Sequence, residues 1–403
     1  MPSRGPTAPN SHSNPSPLPV AVAAAGPAAS AVAGAAAFPR WVFGLVAAAC
    51  GLTVANVYYA QPLVALIAPS IGIAPHAASL IVTVVQLGYC AGLVLLVPLG
   101  DRVENRRLAV SMLVVAAAAL ALAAIARSAP LFLAAAVAIG AASVVVQVLV
   151  PLASHMAPAA TRGRVVGNVV SGLLVGIMLA RPVASLVADA FGWRAVFGAS
   201  SALMLLQAVA LRRWLPGRRP PRGPGYLALL GTLGPLLRAT PLLQRRAAYQ
   251  ALLFASFTLY WTAAPLLLQG PGFGFTQRDI AAFALVGAAG AIAAPIAGRL
   301  ADRGHMNGVT LGAFATAAFA FALSWAYGAT SLAALVATGV LVDFAVQANL
   351  VVGQRALYLL DAAQRSRLNG LYMTIFFAGG AAGSALASFA LAQGGWRSVS
   401  TFG

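Results

Sequence analysis

The sequence predicts an all-α integral membrane protein built from two copies of one helical unit. Three observations predict it. Hydrophobic residues fill 61% of the 403 positions and charged residues only 8%, against about 25% charged in a soluble globular domain. The apolar residues fall in runs long enough for a helix of about 20 residues to cross a bilayer core. Short sequence marks also recur at a near-constant distance. Gly100-Asp101-Arg102 returns as Ala301-Asp302-Arg303 and Val146-Gln147 as Val346-Gln347. Arg162-Gly163-Arg164 returns as Arg365-Ser366-Arg367, and Gly192-Trp193-Arg194 as Gly395-Trp396-Arg397. The offsets are 201, 200, 203 and 203, so the unit is roughly 200 residues long.

Residues 1–39 are dominated by Pro, Ser, Ala and Gly, too small and polar to build a core, and are expected to be a disordered cytoplasmic tail. The stretch Ala21–Ala37 is Ala/Gly-rich where a signal peptide would be Leu-rich, and only Arg4 precedes it as a basic residue. Apolar runs then predict spans near 41–68, 77–99, 108–126, 131–157, 165–188 and 194–214, a six-helix bundle over 40–214. Residues 215–246, rich in Pro, Gly and Arg, read as a cytoplasmic linker. A second bundle over 247–403 has spans near 247–269, 280–301, 308–327, 331–356 and 367–392. By the repeat, Gly395-Trp396-Arg397 opens a twelfth span, yet Gly403 follows six residues later. About 11 spans are therefore expected, with the twelfth missing from the second bundle.

All 25 basic residues are arginine, and 20 of them fall on one side of this arrangement. Only Arg127, Arg194, Arg278 and Arg397 fall on the other, and Arg181 lies within a span. Cytoplasmic loops carry the basic excess, so the amino terminus is expected inside. The formal charge of +18 does not imply nucleic-acid binding, because the arginines occupy short gaps between apolar runs and form no single basic face. Cys50 and Cys90 lie inside apolar runs and behave as small hydrophobes. No Cys/His cluster has metal-ligand spacing and no Gly-rich phosphate loop follows a strand, so neither metal, cofactor nor enzyme is expected.

The paired Asp-Arg turns resemble the signature of the major facilitator superfamily between spans 2 and 3, a Gly-x-x-x-Asp-Arg-x-Gly-Arg-Arg-like run. The second copy reads Gly298-Arg299-Leu300-Ala301-Asp302-Arg303. The first reads Pro98-Leu99-Gly100-Asp101-Arg102-Val103-Glu104-Asn105-Arg106-Arg107, with Val97 and Glu104 where the family has glycine. Asn56-Val57-Tyr58-Tyr59-Ala60-Gln61-Pro62-Leu63 resembles span 1 of bacterial efflux members, of the arabinose-exporter-like, nucleoside-exporter-like and drug:proton antiporter kind. The resemblance covers the chain from about residue 40 and implies two six-helix halves arranged as parallel repeats. It also implies a latch on the cytoplasmic side, in which Asp101 with Arg102 and Arg106 faces the start of span 11 at Arg367. Asp302 with Arg303 then faces the start of span 5 at Arg164. Helix N-termini and arginines attract such carboxylates. On the residues alone, the arginines also fit ordinary positive-inside charges.

Asp343 is the acid that does not sit at a span end. Span 10 runs inward from about 331, which puts Asp343 about 15–18 Å deep, near the midplane. An unpaired ionised acid at that depth costs several kcal/mol, so proton coupling is the role expected of it, and an Asp neutralised by a neighbour for packing alone is the alternative. Gln347 lies one turn along the same face. Arg181 lies about 24 Å along span 5, where it snorkels to the far headgroups, faces the cavity or pairs with Asp343. Gly167 and Gly176 fit the spacing of the family's antiporter signature in span 5, but Ala180-Arg181-Pro182 replaces its Gly-Pro. Family folds line the central cavity with spans 1, 4, 7 and 10, which offers Asn56, Tyr59, Gln61, Gln147, Tyr260, Trp261 and Gln347 as wall residues. Each also fits helix–helix packing.

The resemblance implies a secondary transporter in the bacterial inner membrane, a monomer whose partners are lipid, protons and a small organic solute. Proton-coupled efflux is the first expectation. Uptake of a sugar-like or nucleoside-like solute with protons is the alternative, as is a truncated relative that does not transport.

Overall fold

The computed structural model describes residues 39–158, 160–220, 225–360 and 364–403, so the expected tail over 1–38 lies outside the described residues. The described chain is all-helical, without strands. The helices are α1 (Arg40–Ala55), α2 (Val64–Ser70), α3 (Leu80–Leu95), α4 (Asn105–Ile125) and α5 (Ala129–Ser143). There follow α6 (Val146–Met156), α7 (Arg162–Phe191), α8 (Trp193–Trp214), α9 (Tyr226–Ala239) and α10 (Pro241–Leu268). The last are α11 (Gln277–Val286), α12 (Ala293–Asp302), α13 (Met306–Tyr327), α14 (Leu332–Tyr358) and α15 (Arg365–Phe402).

Nine helices among the described residues are long and apolar enough to cross a membrane. Two expected spans fall short because each is broken. The span near 41–68 divides into α1 and α2, joined by turns and a 3-10 segment at Gln61–Leu63. Pro62 has no backbone N–H and cannot continue α1. The span near 280–301 divides into α11 and α12 around a 3-10 segment at Gly287–Ile292. Irregular backbone at membrane depth survives only inside protein or beside a cavity. Gln61, Pro62 and Leu63 are accordingly all buried.

Small residues let the helices approach closely, as in other membrane bundles. A Cβ added to Gly172 or Gly176 of α7 would strike the backbone of α1 at Ala47 or Gly51. Gly379 and Gly383 of α15 press likewise on Ala251 and Ala255 of α10. Gly192 and Gly395, matched in the repeat, both adopt positive φ, 79° and 61°. Only glycine takes this conformation without strain. In the first copy it opens α8 at Trp193. In the second, non-helical Gly394 and Gly395 end the long span within α15, and Trp396 starts a new helical segment.

The expected linker is not bare. Within 215–246 lies α9, whose Leu233, Leu236 and Leu237 recur at helical spacing and pack with Leu243, Leu368 and Tyr372. Sequence reading missed it because prolines and arginines bracket a short apolar repeat.

The arginine-rich side and the opposite side are packed differently. Towards the opposite side, Ser79 N–H donates to Ser388 Oγ at 2.9 Å, and the Thr83 and Ser384 hydroxyls bond at 3.1 Å, which ties α3 to α15. There α7 also packs along α11, far more extensively than along α12. Towards the arginine-rich side the helices diverge around a cavity.

Candidate functional site

The cavity holds about 310 Å³ and is walled by α6, α7, α10, α14 and α15 with the break after α1. Its deep end is formed by Tyr58, Arg181, Phe254, Phe257 and Asp343, and it continues past Gln147 and Gln347 to Gln354, Tyr358 and Asn369 near the arginine-rich side. Aliphatic side chains make up most of the wall, with a group of rings set among them: Phe254 stacks on Phe376 at 3.9 Å and on Phe257 at 5.2 Å. Such a concave, mostly apolar surface with a few converging polar groups is how small-molecule sites are built.

Two opposite charges meet at the deep end through one indole. Asp343, 7% exposed, accepts a hydrogen bond from Trp261 Nε1 at 2.9 Å. Arg181, 4% exposed, has its guanidinium 4.5 Å from the Trp261 ring centre, 5.0 Å from Phe257 and 5.4 Å from Tyr58. A desolvated cation over an indole gains about 2 kcal/mol. Arg181 Nε also donates to Gln61 Oε1 at 2.7 Å, so the break in span 1 supplies its polar partner. No ion pair joins Arg181 to Asp343 directly among the described residues, which corrects the expected pairing. Arg181 therefore lines the cavity and does not snorkel away. Its Nη2 has no acceptor among the described residues, nor has the Nε2 donor of Gln61. A buried donor left unbonded costs about 1–3 kcal/mol, more when charged.

Backbone without side chains brings these groups together. A Cβ at Gly290 would overlap Asp343, and one at Gly287 would sit 2.7 Å from the Trp261 ring. The 3-10 segment that interrupts the span near 280–301 is thus the surface against which the acid and the indole are held.

Of the expected wall residues, Gln147, Arg181, Asp343 and Gln347 line the cavity. Gln147 Nε2 donates to the Tyr89 hydroxyl at 3.5 Å. Gln61 and Trp261 lie directly behind the wall, in contact with Arg181. Asn56, Tyr59 and Tyr260 are not wall residues, a correction. Asn56 Oδ1 accepts from Ser200 at 2.5 Å and its Nδ2 donates to Met204 Sδ at 3.4 Å, so it faces α8. Tyr260 donates to Leu335 O at 2.6 Å inside the bundle, and Tyr59 is buried outside the cavity. Sequence reading missed the rings of the wall. Phe254, Phe257 and Trp261 recur at positions one and two turns apart on α10, a signal that would have found it.

The two Asp-Arg turns differ. Asp101 and Arg367 line one small crevice with Pro98, Leu229 and Leu371, without an ion pair among the described residues. Arg367 Nη1 instead donates to Thr232 Oγ1 at 3.3 Å. Asp302 pairs with Arg355 of α14, not with Arg164 as expected. The reason is that α12 packs along α14 far more than along α7. Arg164, Arg303 and Arg102 form no ion pair among the described residues. Arg106 and Arg107 both pair with Glu104 at 3.1 Å at the start of α4, and Arg106 Nη1 also donates to Leu215 O at 3.3 Å.

Known proteins share this arrangement. The Major Facilitator Superfamily model matches residues 47–357 and 247–402. The "Uncharacterized transporter YgaY" of Escherichia coli O157:H7 is 41% identical over 355 residues, 88% of this chain and 90% of that protein. The "Probable transporter SCO4007" of Streptomyces coelicolor is 39% identical over 368 residues, 91% of this chain and 84% of that protein. Among solved structures, a point mutant of the nucleoside transporter NupG superposes with a TM-score of 0.69 at 14% identity, covering 89% of this chain and 95% of that one. By the family match and these relatives, this chain is a multi-pass membrane transporter of the major facilitator superfamily.

Proposed function

We propose that the chain is a proton-coupled secondary transporter of a small organic solute, working by alternating access with Asp343 as the coupling acid. One observation carries this reading. A buried carboxylate sits at the blind end of a mostly apolar cavity, bonded to an indole that also touches the cavity's cation. Buried intramembrane acids mark proton and substrate pathways.

The reading takes the arginine-rich side as the cytoplasm of a bacterium and the protein as a monomer in its inner membrane. Residues 40–214 and 247–403 then rock as two halves about the site, joined by 215–246. The cavity opens inward in this arrangement, and Asp101 and Asp302 latch that side in the other. The separation of Asp302 from Arg164 supports a released latch. Export in exchange for protons is the direction supported by the resemblance of Asn56–Leu63 to efflux members. Uptake together with a proton is a second reading, favoured by the unpartnered donor of Arg181 on the wall, which suits an anion.

The test begins with a thermal-shift screen of the purified protein over drugs, sugars and nucleosides, followed by flux of the hit in proteoliposomes. Asp343→Asn is expected to abolish flux driven by a pH gradient while membrane insertion stays normal. Unchanged pH-driven flux in that variant removes Asp343 from the coupling role.

A further inference from the structure

We infer that the solute is an organic anion, its carboxylate held by Arg181, which Gln61 braces from behind, and its apolar body by the rings of the wall, and that it binds together with a proton on Asp343. The inference rests on the proton-coupled reading above and chooses cotransport within it.

The unpartnered polar atoms of the Arg181–Gln61 pair are both donors, Arg181 Nη2 and Gln61 Nε2. The pair's one acceptor, Gln61 Oε1, is already engaged by Arg181 Nε at 2.7 Å. On the wall itself, Arg181 offers an unpartnered N–H donor and, like any guanidinium, no acceptor, which matches a carboxylate oxygen. An ammonium placed against Arg181 would meet the guanidinium in a medium of low dielectric. The neighbouring surface is made of Tyr58, Phe254 and Phe257, which suits an aromatic or alkyl body.

Charge balance brings in the proton. Arg181 and Asp343 are the charged groups among the described lining residues. The titratable or charged groups that face Asp343 electrostatically are Arg181, Tyr58 and Tyr260. With Asp343 ionised, the cavity is neutral overall. A carboxylate arriving on Arg181 sets two anions against one cation, and a proton on Asp343 restores neutrality. Binding of the anion and the proton therefore favour each other, by the same factor in each direction.

The experiment uses the full-length purified protein and three acids, benzoate, 3-phenylpropionate and octanoate, each beside its neutral amide, with benzylamine as the cation. Affinity is read from tryptophan fluorescence, and proton uptake from a pH dye in weak buffer. At least one acid is expected to bind about 10-fold or more tighter than its amide, with about one proton taken up per acid bound. Arg181→Gln removes the acid-over-amide preference and Arg181→Lys keeps part of it. Asp343→Asn still binds the acid but takes up no proton. Equal or tighter binding of an amide or of benzylamine, failure of all three acids, or proton release on binding would overturn the inference. The wild-type comparison stands even where an Arg181 variant misfolds. If amides match acids while Asp343→Asn still loses pH-driven flux, the coupling reading survives and this inference falls. If acids are preferred while Asp343→Asn keeps full pH-driven flux, the coupling reading fails and the proton half of this inference falls with it.

Discussion

At the 200-residue offset, span 4 of the first copy carries Ser143 where span 10 of the second carries Asp343. At the 203-residue offset, span 5 carries Arg181 where span 11 carries Ser384. The two serines close their bonds away from the cavity. Ser143 Oγ donates to Ile139 O at 2.7 Å on its own helix, and Ser384 bonds Thr83 at the packed seam. The two charges instead reach across to Trp261 on a third helix. Duplication supplied the scaffold, while the chemistry lies in what the copies do not share. Neither copy holds both charges, so the site exists only where the copies meet.

Making the copies alike is the sharpest way to break this asymmetry. Asp343→Ser is expected to reduce pH-driven flux to the level of protein-free vesicles, because no titratable acid is left among the described lining residues. Arg181→Ser comes next. It removes a charged hydrogen-bond donor worth about 1.5–3 kcal/mol, or roughly 10- to 150-fold in solute affinity by equilibrium binding. Trp261→Phe keeps a ring beneath Arg181 but deletes the bond to Asp343, and about 1 kcal/mol or fivefold in pH-driven flux should go with it. Ser384→Ala breaks the bond to Thr83 across the packed seam. Hydrogen exchange around Thr83 of α3 and Ser384 of α15 should rise by a few-fold at most, since such a bond contributes about 0.5–1.5 kcal/mol. Ser143→Ala should change flux and melting temperature least, within about 0.5 kcal/mol, because that hydroxyl only folds back on its own helix. A large loss there, matching that of Asp343→Ser, would mean that the two positions are equivalent after all.

Much of this was legible in the residues. Apolar run length located the spans, and the matched anchors located the second copy to within a few residues, down to the paired positive-φ glycines 192 and 395. Asp343 stood out because a lone acid at that depth is costly whatever surrounds it. What stayed hidden depended on helix rotation and on partners distant in sequence. Tyr260 and Trp261 are neighbours about 100° apart on α10, and only the packing of Tyr260 against Leu335 decides which one reaches Asp343. The partner of Asp302 was equally hidden, because Arg355 and Arg164 both lie on the arginine-rich side and only the packing of α12 along α14 selects between them. The break at Gln61-Pro62 was readable from the proline, but its use as a partner for Arg181 was not.

The central claim is that Asp343 couples proton movement to the solute without being needed to hold it. Solute exchange and pH-driven accumulation, measured side by side on Asp343→Asn in proteoliposomes, test that most directly. The account predicts exchange within a few-fold of wild type and no accumulation driven by the pH gradient. Accumulation at the wild-type level, or loss of both activities from a normally inserted and folded variant, would contradict it.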